Sequence, residues 1–168
     1  EVRGGSDSNN PQVILTRWDD LFVKRLLETN IPEIKKGEIA IRHILRLPGF
    51  LSKVLVEGKR GLNDPSGACI GRGGERIKGI LMWMEPERIV VATWSDNKKD
   101  LLLSLLSPVK VASIMEREQE WHVIISQNKA SLLLEHGGKV LKKISEYIGK
   151  KIHIKILEEV QRERNTTI

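Results

Sequence analysis

The segment Gly71-Arg72-Gly73-Gly74 constrains this chain more than any other, because three glycines in four positions make a bend with almost no side-chain bulk. On its C-terminal side Ile77, Ile80, Leu81 and Met84 recur at i, i+3, i+4 and i+7, the spacing of one buried helical face. On its N-terminal side Ala68, Cys69 and Ile70 read as an apolar helix, so the bend joins two helices. Without a Cβ, glycine takes positive φ and lets the backbone approach a sugar-phosphate chain, while the next helix presents unpaired N–H groups and its positive dipole end. Arg72 adds a charge suited to phosphates. The same four residues, taken alone, also make an ordinary tight turn between helices.

The flanking sequence gives the bend a setting. Leu21, Phe22, Val23, Leu26 and Leu27 predict an amphipathic helix over Trp18 to Glu28, ended by Asn30-Ile31-Pro32. Strands are expected at Glu38 to Leu47 and Ser52 to Glu57, parted by the turn residues Pro48-Gly49. After the bend come a strand at Arg88 to Trp94 and a helix at Asp100 to Leu106, stopped by Ser107-Pro108. The last third repeats the plan in shorter form: strands at Val111 to Met115 and Trp121 to Ser126, a helix-loop-helix from Lys129 to Ile148, and a strand at Lys151 to Leu157. Laying the bend over Glu135-His136-Gly137-Gly138 brings Ala68-Cys69-Ile70 onto Leu132-Leu133-Leu134, which points to duplicated domains.

Strand, strand, helix, GxxG, basic helix, strand is the plan of a KH domain, whose GxxG loop clamps about four nucleotides of single-stranded backbone. A helix and strands before the loop resemble the type II arrangement. The expected fold is α/β (α+β): two tandem type II KH domains, each a small mixed sheet packed with helices, rigidly joined across the short Ser107-Pro108 bridge. Residues 1–17 are expected to be a linker or the end of a preceding domain, 18–107 the first KH domain, 108–158 the second, and 159–168 a polar tail. On this plan the bend and the helix from Glu75 form one wall of a groove, with Ile70, Ile77, Ile89 and Val91 as candidates for its apolar floor. Each of these four also reads as core. Arg76, two residues closer to the bend than Lys78, is the expected second phosphate contact.

The charge balance agrees with an anionic partner: 28 Lys and Arg stand against 22 Asp and Glu. Cys69 has no partner for an internal disulfide and sits among apolar neighbours, as a small buried hydrophobe does. His43, His122, His136 and His153 show no close ligand spacing, and neither a Walker loop nor GxSxG occurs, so no catalysis, metal or cofactor is expected. The apolar run Leu101 to Leu106 is too short to span a bilayer; no membrane association is expected, and a cytoplasmic location fits a chain with a lone cysteine.

Wording more specific than the KH plan appears at Asp64 to Ile77, DPSGACIGRGGERI, which resembles the signature of the NusA family of bacterial transcription factors. The resemblance extends from about residue 11 to 157 and takes in PQVILTR at Pro11, PEI at Pro32, Pro48-Gly49 with Lys53 and Val54, ERI at Glu87, WSDN at Trp94 and SPVKVASI at Ser107. It implies a factor in transcription elongation, termination and antitermination, acting on single-stranded nascent RNA together with RNA polymerase and other elongation factors through the full-length protein. Without the family's polymerase-binding and OB-type domains, this chain is expected to keep RNA binding and lose most polymerase-directed activity.

The second loop departs from the family's GxxG by placing Glu135 first, where a carboxylate repels phosphate, although His136 and Lys139 beside Gly137 and Gly138 offset part of that. The first domain is therefore expected to contribute more affinity. A protein-interaction module that docks an acidic partner on a KH fold is the other reading.

Overall fold

The computed structural model describes residues 2–3, 12–13, 17–59, 61–118, 120–127 and 130–166. Near the start, β1 (Val2–Arg3) pairs antiparallel with β2 (Gln12–Val13). The rest of the linker expected over residues 1–17 lies outside the described residues up to Arg17, as does Lys129, the expected start of the second helix-loop-helix.

The first unit opens with α1 (Asp20–Asn30), where the Asp19 carboxylate caps the helix by accepting from Leu21 N at 2.8 Å. Pro32 does not merely end it. Its fixed φ starts a further short helix, α2 (Pro32–Lys35), in the first-turn position where proline's missing N–H costs nothing. β3 (Ile39–Leu47) and β4 (Leu51–Gly58) form an antiparallel hairpin. α3 (Pro65–Ile70), capped by Asp64 through Gly67 N, leads through the glycine bend into α4 (Glu75–Met84). β5 (Arg88–Thr93) then lies parallel to β4, giving the order β3-β4-β5.

The second unit repeats this topology. After α5 (Lys98–Leu106) come β6 (Val111–Arg117) and β7 (Glu120–Ile125), a bent helix α6 (Ser131–Ile148) and β8 (Lys151–Ile156), which runs parallel to β7 in the order β6-β7-β8. The sequence expected a polar tail beyond residue 158, whereas Leu157–Thr166 forms a helix, α7. Its stretch is too polar to signal a helix by apolar period, but Leu157 and Val160 are half-buried and the Glu158 carboxylate accepts from Gln127 N at 3.2 Å.

Packing follows from β4, whose residues from Leu51 to Val56 are all buried. Side chains of a strand alternate between faces, so burial without alternation means cover on both sides. On one face Val54 and Val56 join Val23, Leu27, Cys69, Ile77, Ile80 and Met84 under α1, α3 and α4. On the other, Leu51, Leu55 and Ala92 meet Leu101, Leu102, Leu105 and Leu106 of α5, and that core continues into Trp121, Val123, Leu133, Val140 and Ile144 of the second unit. Polar struts cross the same boundary: Lys53 Nζ donates to Ser107 O and Lys143 Nζ to Arg46 O, both at 2.6 Å, and His43 stacks on Tyr147 with centroids 4.2 Å apart. The two units are thus rigidly joined, by a shared core as well as by a short bridge. On this packing we propose that α5 be counted with the second unit, in the place α1 holds in the first, rather than ending the first unit at residue 107.

Beneath the β3–β4 turn sits a buried ion pair. Arg46 and Glu87 are each 4% exposed, and Arg46 donates to both Glu87 oxygens, from Nε at 2.8 Å and Nη2 at 3.0 Å. Ser52 Oγ and Gly49 N also donate to that carboxylate, at 2.5 and 2.9 Å, so the turn and two strands share one anion. Burial alone raises the carboxyl's pKa, but these donors outweigh it and hold Glu87 below the ordinary value. A depressed pKa contributes stability that is complete above the unfolded value, about 4.3, and is lost as pH falls through the folded one. Replacing Glu87 by Gln leaves Arg46 buried without its counter-charge, so urea unfolding at pH 7 is expected to show a loss of about 3–5 kcal/mol. A loss below about 1 kcal/mol would mean that water reaches the pair.

Candidate nucleic-acid interface

The bend after α3 is built almost wholly from backbone. Gly71 closes α3 by donating to Gly67 O at 2.9 Å and then turns to φ +76°, ψ 168°, a region open essentially only to glycine. Gly73 and Gly74 follow in the left-handed region at φ +63° and +76°, and Gly74 N donates back to Gly71 O at 3.0 Å. A Cβ on Gly71 would meet Arg76 Cγ at 2.8 Å, whereas one on Gly73 would stand in open space. Arg72 and Gly73 are exposed, so the outer side of the bend is bare main chain beside one guanidinium, at the start of a ten-residue helix.

The structure gives Arg76 a different occupation from the expected phosphate contact. Its Nη1 lies 2.9 Å from both carboxylate oxygens of Glu33 and donates to Ala68 O at 2.8 Å, which ties α4 to α2 and to the end of α3. Glu33 stands on the short helix α2, which the Asn30-Ile31-Pro32 break conceals in the sequence. The charge of Arg76 is spent inward, holding the bend, and Lys78 remains exposed.

The four expected floor residues divide. Ile70 is 37% exposed beside the bend and Ile89 is half-buried on β5, while Ile77 and Val91 belong to the first core at 9% and 8% exposure. α3 packs on β5, with Thr93 Oγ1 donating to Ser66 Oγ at 3.3 Å, so bend and strand flank one side of the unit.

The second bend is not a copy of the first. Glu135 has φ −58° and ψ 163°, extended backbone open to any residue, and the left-handed run begins one position later with His136 at φ +54°, then Gly137 and Gly138 at +67° and +70°. A side chain is therefore tolerated at 135 where none fits at 71. The His136 ring packs edge-on against Phe50, centroids 4.1 Å apart, so the β3–β4 turn of the first unit braces the bend of the second. Glu135, Gly137 and Lys139 are exposed and Gly138 is half-buried. Phe50 carries no sequence signal beyond an aromatic after Pro48-Gly49, and it was missed.

Cys69 is fully buried and its thiol is pushed up to about 11, as expected of a small hydrophobe in the core. Among the described residues no group of three His, Cys, Asp or Glu has the geometry to hold a metal, and no helix is long and apolar enough to cross a membrane.

The family model for the NusA-like first KH domain matches residues 17–94, the span from Arg17 to the end of the first sheet. The transcription termination/antitermination protein NusA of Halalkalibacterium halodurans is 31% identical over 156 residues, covering 92% of this chain and 41% of that protein. The proteins of the same name from Thermus thermophilus and Bacillus subtilis are 31% and 30% identical, covering 90% and 88% of this chain and 40% of each relative. This chain belongs to the NusA family. It spans about two fifths of the length of these relatives. The tandem KH fold of this NusA-family chain is carried by the two units described above, with the Gly71–Gly74 bend in the unit that the family model matches.

Backbone geometry separates the two bends experimentally. Gly71→Ala puts a Cβ into Arg76 at a glycine-only conformation and is expected to cost about 1–3 kcal/mol in urea unfolding. Glu135→Ala, at an exposed position with ordinary φ, is expected to stay within about 0.5 kcal/mol of the parent. Equal costs at the two positions would contradict the assigned geometry.

Proposed function

We propose that this chain binds single-stranded RNA along its two bends, as part of a transcription elongation, termination and antitermination factor that acts on nascent RNA with RNA polymerase in the cytoplasm. The observation that carries the reading is the bend Gly71–Gly74, exposed at Arg72 and Gly73 and bare of side chains but for Arg72, which opens α4 within a NusA-family KH unit. Gly71 N and Gly74 N are bonded within the bend itself, so its conformation is set before any ligand arrives and little ordering is required on binding. Phosphates run over the bend and along Arg72, with Lys78 as the nearer free cation and Arg76 as the positioning residue. Ile70 and Ile89 offer apolar surface to unstacked bases, while Ile77 and Val91 support them from the core.

In the second unit His136, Gly137, Gly138 and Lys139 continue the track, and Glu135 weakens it. Because one core fixes the units to each other, the two bends act as a single site for more than about eight nucleotides. The competing reading, a KH fold that docks an acidic protein, explains the basic charge but gives the bare bend no task.

Arg72→Asp with Gly73→Asp reverses the charge and adds a second carboxylate at a position where Asp tolerates left-handed backbone. The double variant is expected to abolish most RNA binding in a fluorescence assay while its circular dichroism stays that of the parent; unchanged affinity would favour the protein-docking reading. If about five phosphates are neutralised, parent binding should fall with salt at a log–log slope near −3.5. Glu135→Gln removes one repulsion of about 0.6 kcal/mol at roughly 7 Å in water and is expected to tighten binding about threefold. Weaker binding would mean that the carboxylate holds the bend together.

A further inference from the structure

The repeat allows the outer faces of the two sheets to be compared position by position. Aligning β5 with β8 through their parallel partners sets Leu51, Lys53 and Leu55 of β4 over Glu120, His122 and Ile124 of β7, and Val90 and Ala92 over His153 and Lys155. In the first unit this face is buried against α5 and the second unit. In the second unit the same face lies away from α6, because Trp121, Val123 and Ile125 point inward to the core. There its β7 residues are half-buried, its β8 residues are exposed, and its chemistry has changed: Lys151, His153 and Lys155 alternate along β8, and the exposed Arg117 stands across from Glu120.

Two features set this face apart from an ordinary solvated surface. Lysines on an edge strand such as β8 guard against strand pairing, but that need does not extend to His122 on the central strand. His122 and His153 are cross-strand partners whose rings stack with centroids 5.1 Å apart and planes 18° from parallel, and both Nε2 atoms face Glu120 Oε2, at 3.7 and 3.2 Å. Glu120 thus lies against both rings, and the His153 side chain keeps 51% of its surface exposed. A flat ring flanked on its own strand by lysines about 13 Å apart is a stacking platform between two phosphate contacts.

We infer that the outer face of the second sheet is a further binding surface for single-stranded RNA, with Arg117, Lys151 and Lys155 on phosphates and the His122–His153 pair under a base. It is separate from both bends, on the far side of the sheet from α6, and rests on the preceding reading only for the class of ligand. A strand leaving the bends and passing around the edge at β8 would reach it, so long RNAs gain contacts that short ones lack.

The test uses the full chain with two labelled single-stranded RNAs, one of about eight nucleotides, matching two bends at about four each, and one about three times longer. Arg117→Gln with Lys151→Gln and Lys155→Gln, all at exposed positions, is expected to weaken the long RNA about tenfold or more and to reduce its log–log salt slope by about 2, at about 0.7 per phosphate. The short RNA should bind as it does to the parent, and His153→Ala should weaken the long RNA alone. Arg72→Asp with Gly73→Asp, by contrast, should weaken both, so failure of the bend reading is seen separately. An unchanged long-RNA affinity and slope in the triple variant would overturn the inference and leave the face to an acidic protein partner. Equal weakening of both RNAs would also overturn it, since the charges would then act as a diffuse field.

Discussion

The burial of β4 on both faces is the constraint from which the rest of this molecule follows. Leu51 and Leu55 cannot be covered by the helices of their own unit, because Val54 and Val56 already occupy those helices on the opposite face. They are covered by α5 and, through it, by the core of the second unit. Fully burying a leucine is worth about 1.5–3 kcal/mol, so Leu51, Leu55 and the four buried leucines of α5 together outweigh what Ser107-Pro108 or any single strut contributes to joining the units. The consequence is functional: two bends on separate units keep a fixed relation, and Phe50 of one reaches His136 of the other.

Polar groups at this boundary are placed where a packing error would be most costly. Lys53 is 2% exposed with its ammonium on the Ser107 carbonyl, and burial draws its pKa down to about 8. Arg46 uses its side chain on Glu87 and on Asp19 O, and its own carbonyl on Lys143, so one residue links the cap of α1, the floor of the β3–β4 turn and α6. The asymmetry between the bends has the same origin. Gly71 lies over Arg76, which Glu33 pulls inward, and has no room for a side chain; Glu135 has ordinary φ and open surroundings.

Most of the fold was legible because local signals were strong. The i, i+3, i+4, i+7 pattern from Ile77, the Pro48-Gly49 turn and the Ile-rich strands each place an element to within a few residues. What escaped were features that exist only through contacts distant in sequence. α2 is one turn long and shows no period, so Glu33 gave no sign that it would claim Arg76. α7 is too polar to read as packed, and the place of α5 between two sheets cannot be inferred from its leucines alone, since an apolar helix fits either unit. Among site residues the bare bend was visible as glycines. The division of Ile70 and Ile89 from Ile77 and Val91 was not, because groove and core use the same side chains.

Native-state hydrogen exchange on a Leu105→Ala variant tests the shared core most directly, since Leu105 is fully buried in α5. A cavity there should lower the opening free energies of the amides in β4 and β7 by the same amount, about 2–5 kcal/mol. Protection lost in β7 with β4 unchanged would show two independently stable units, and the fixed spacing of the bends would no longer follow.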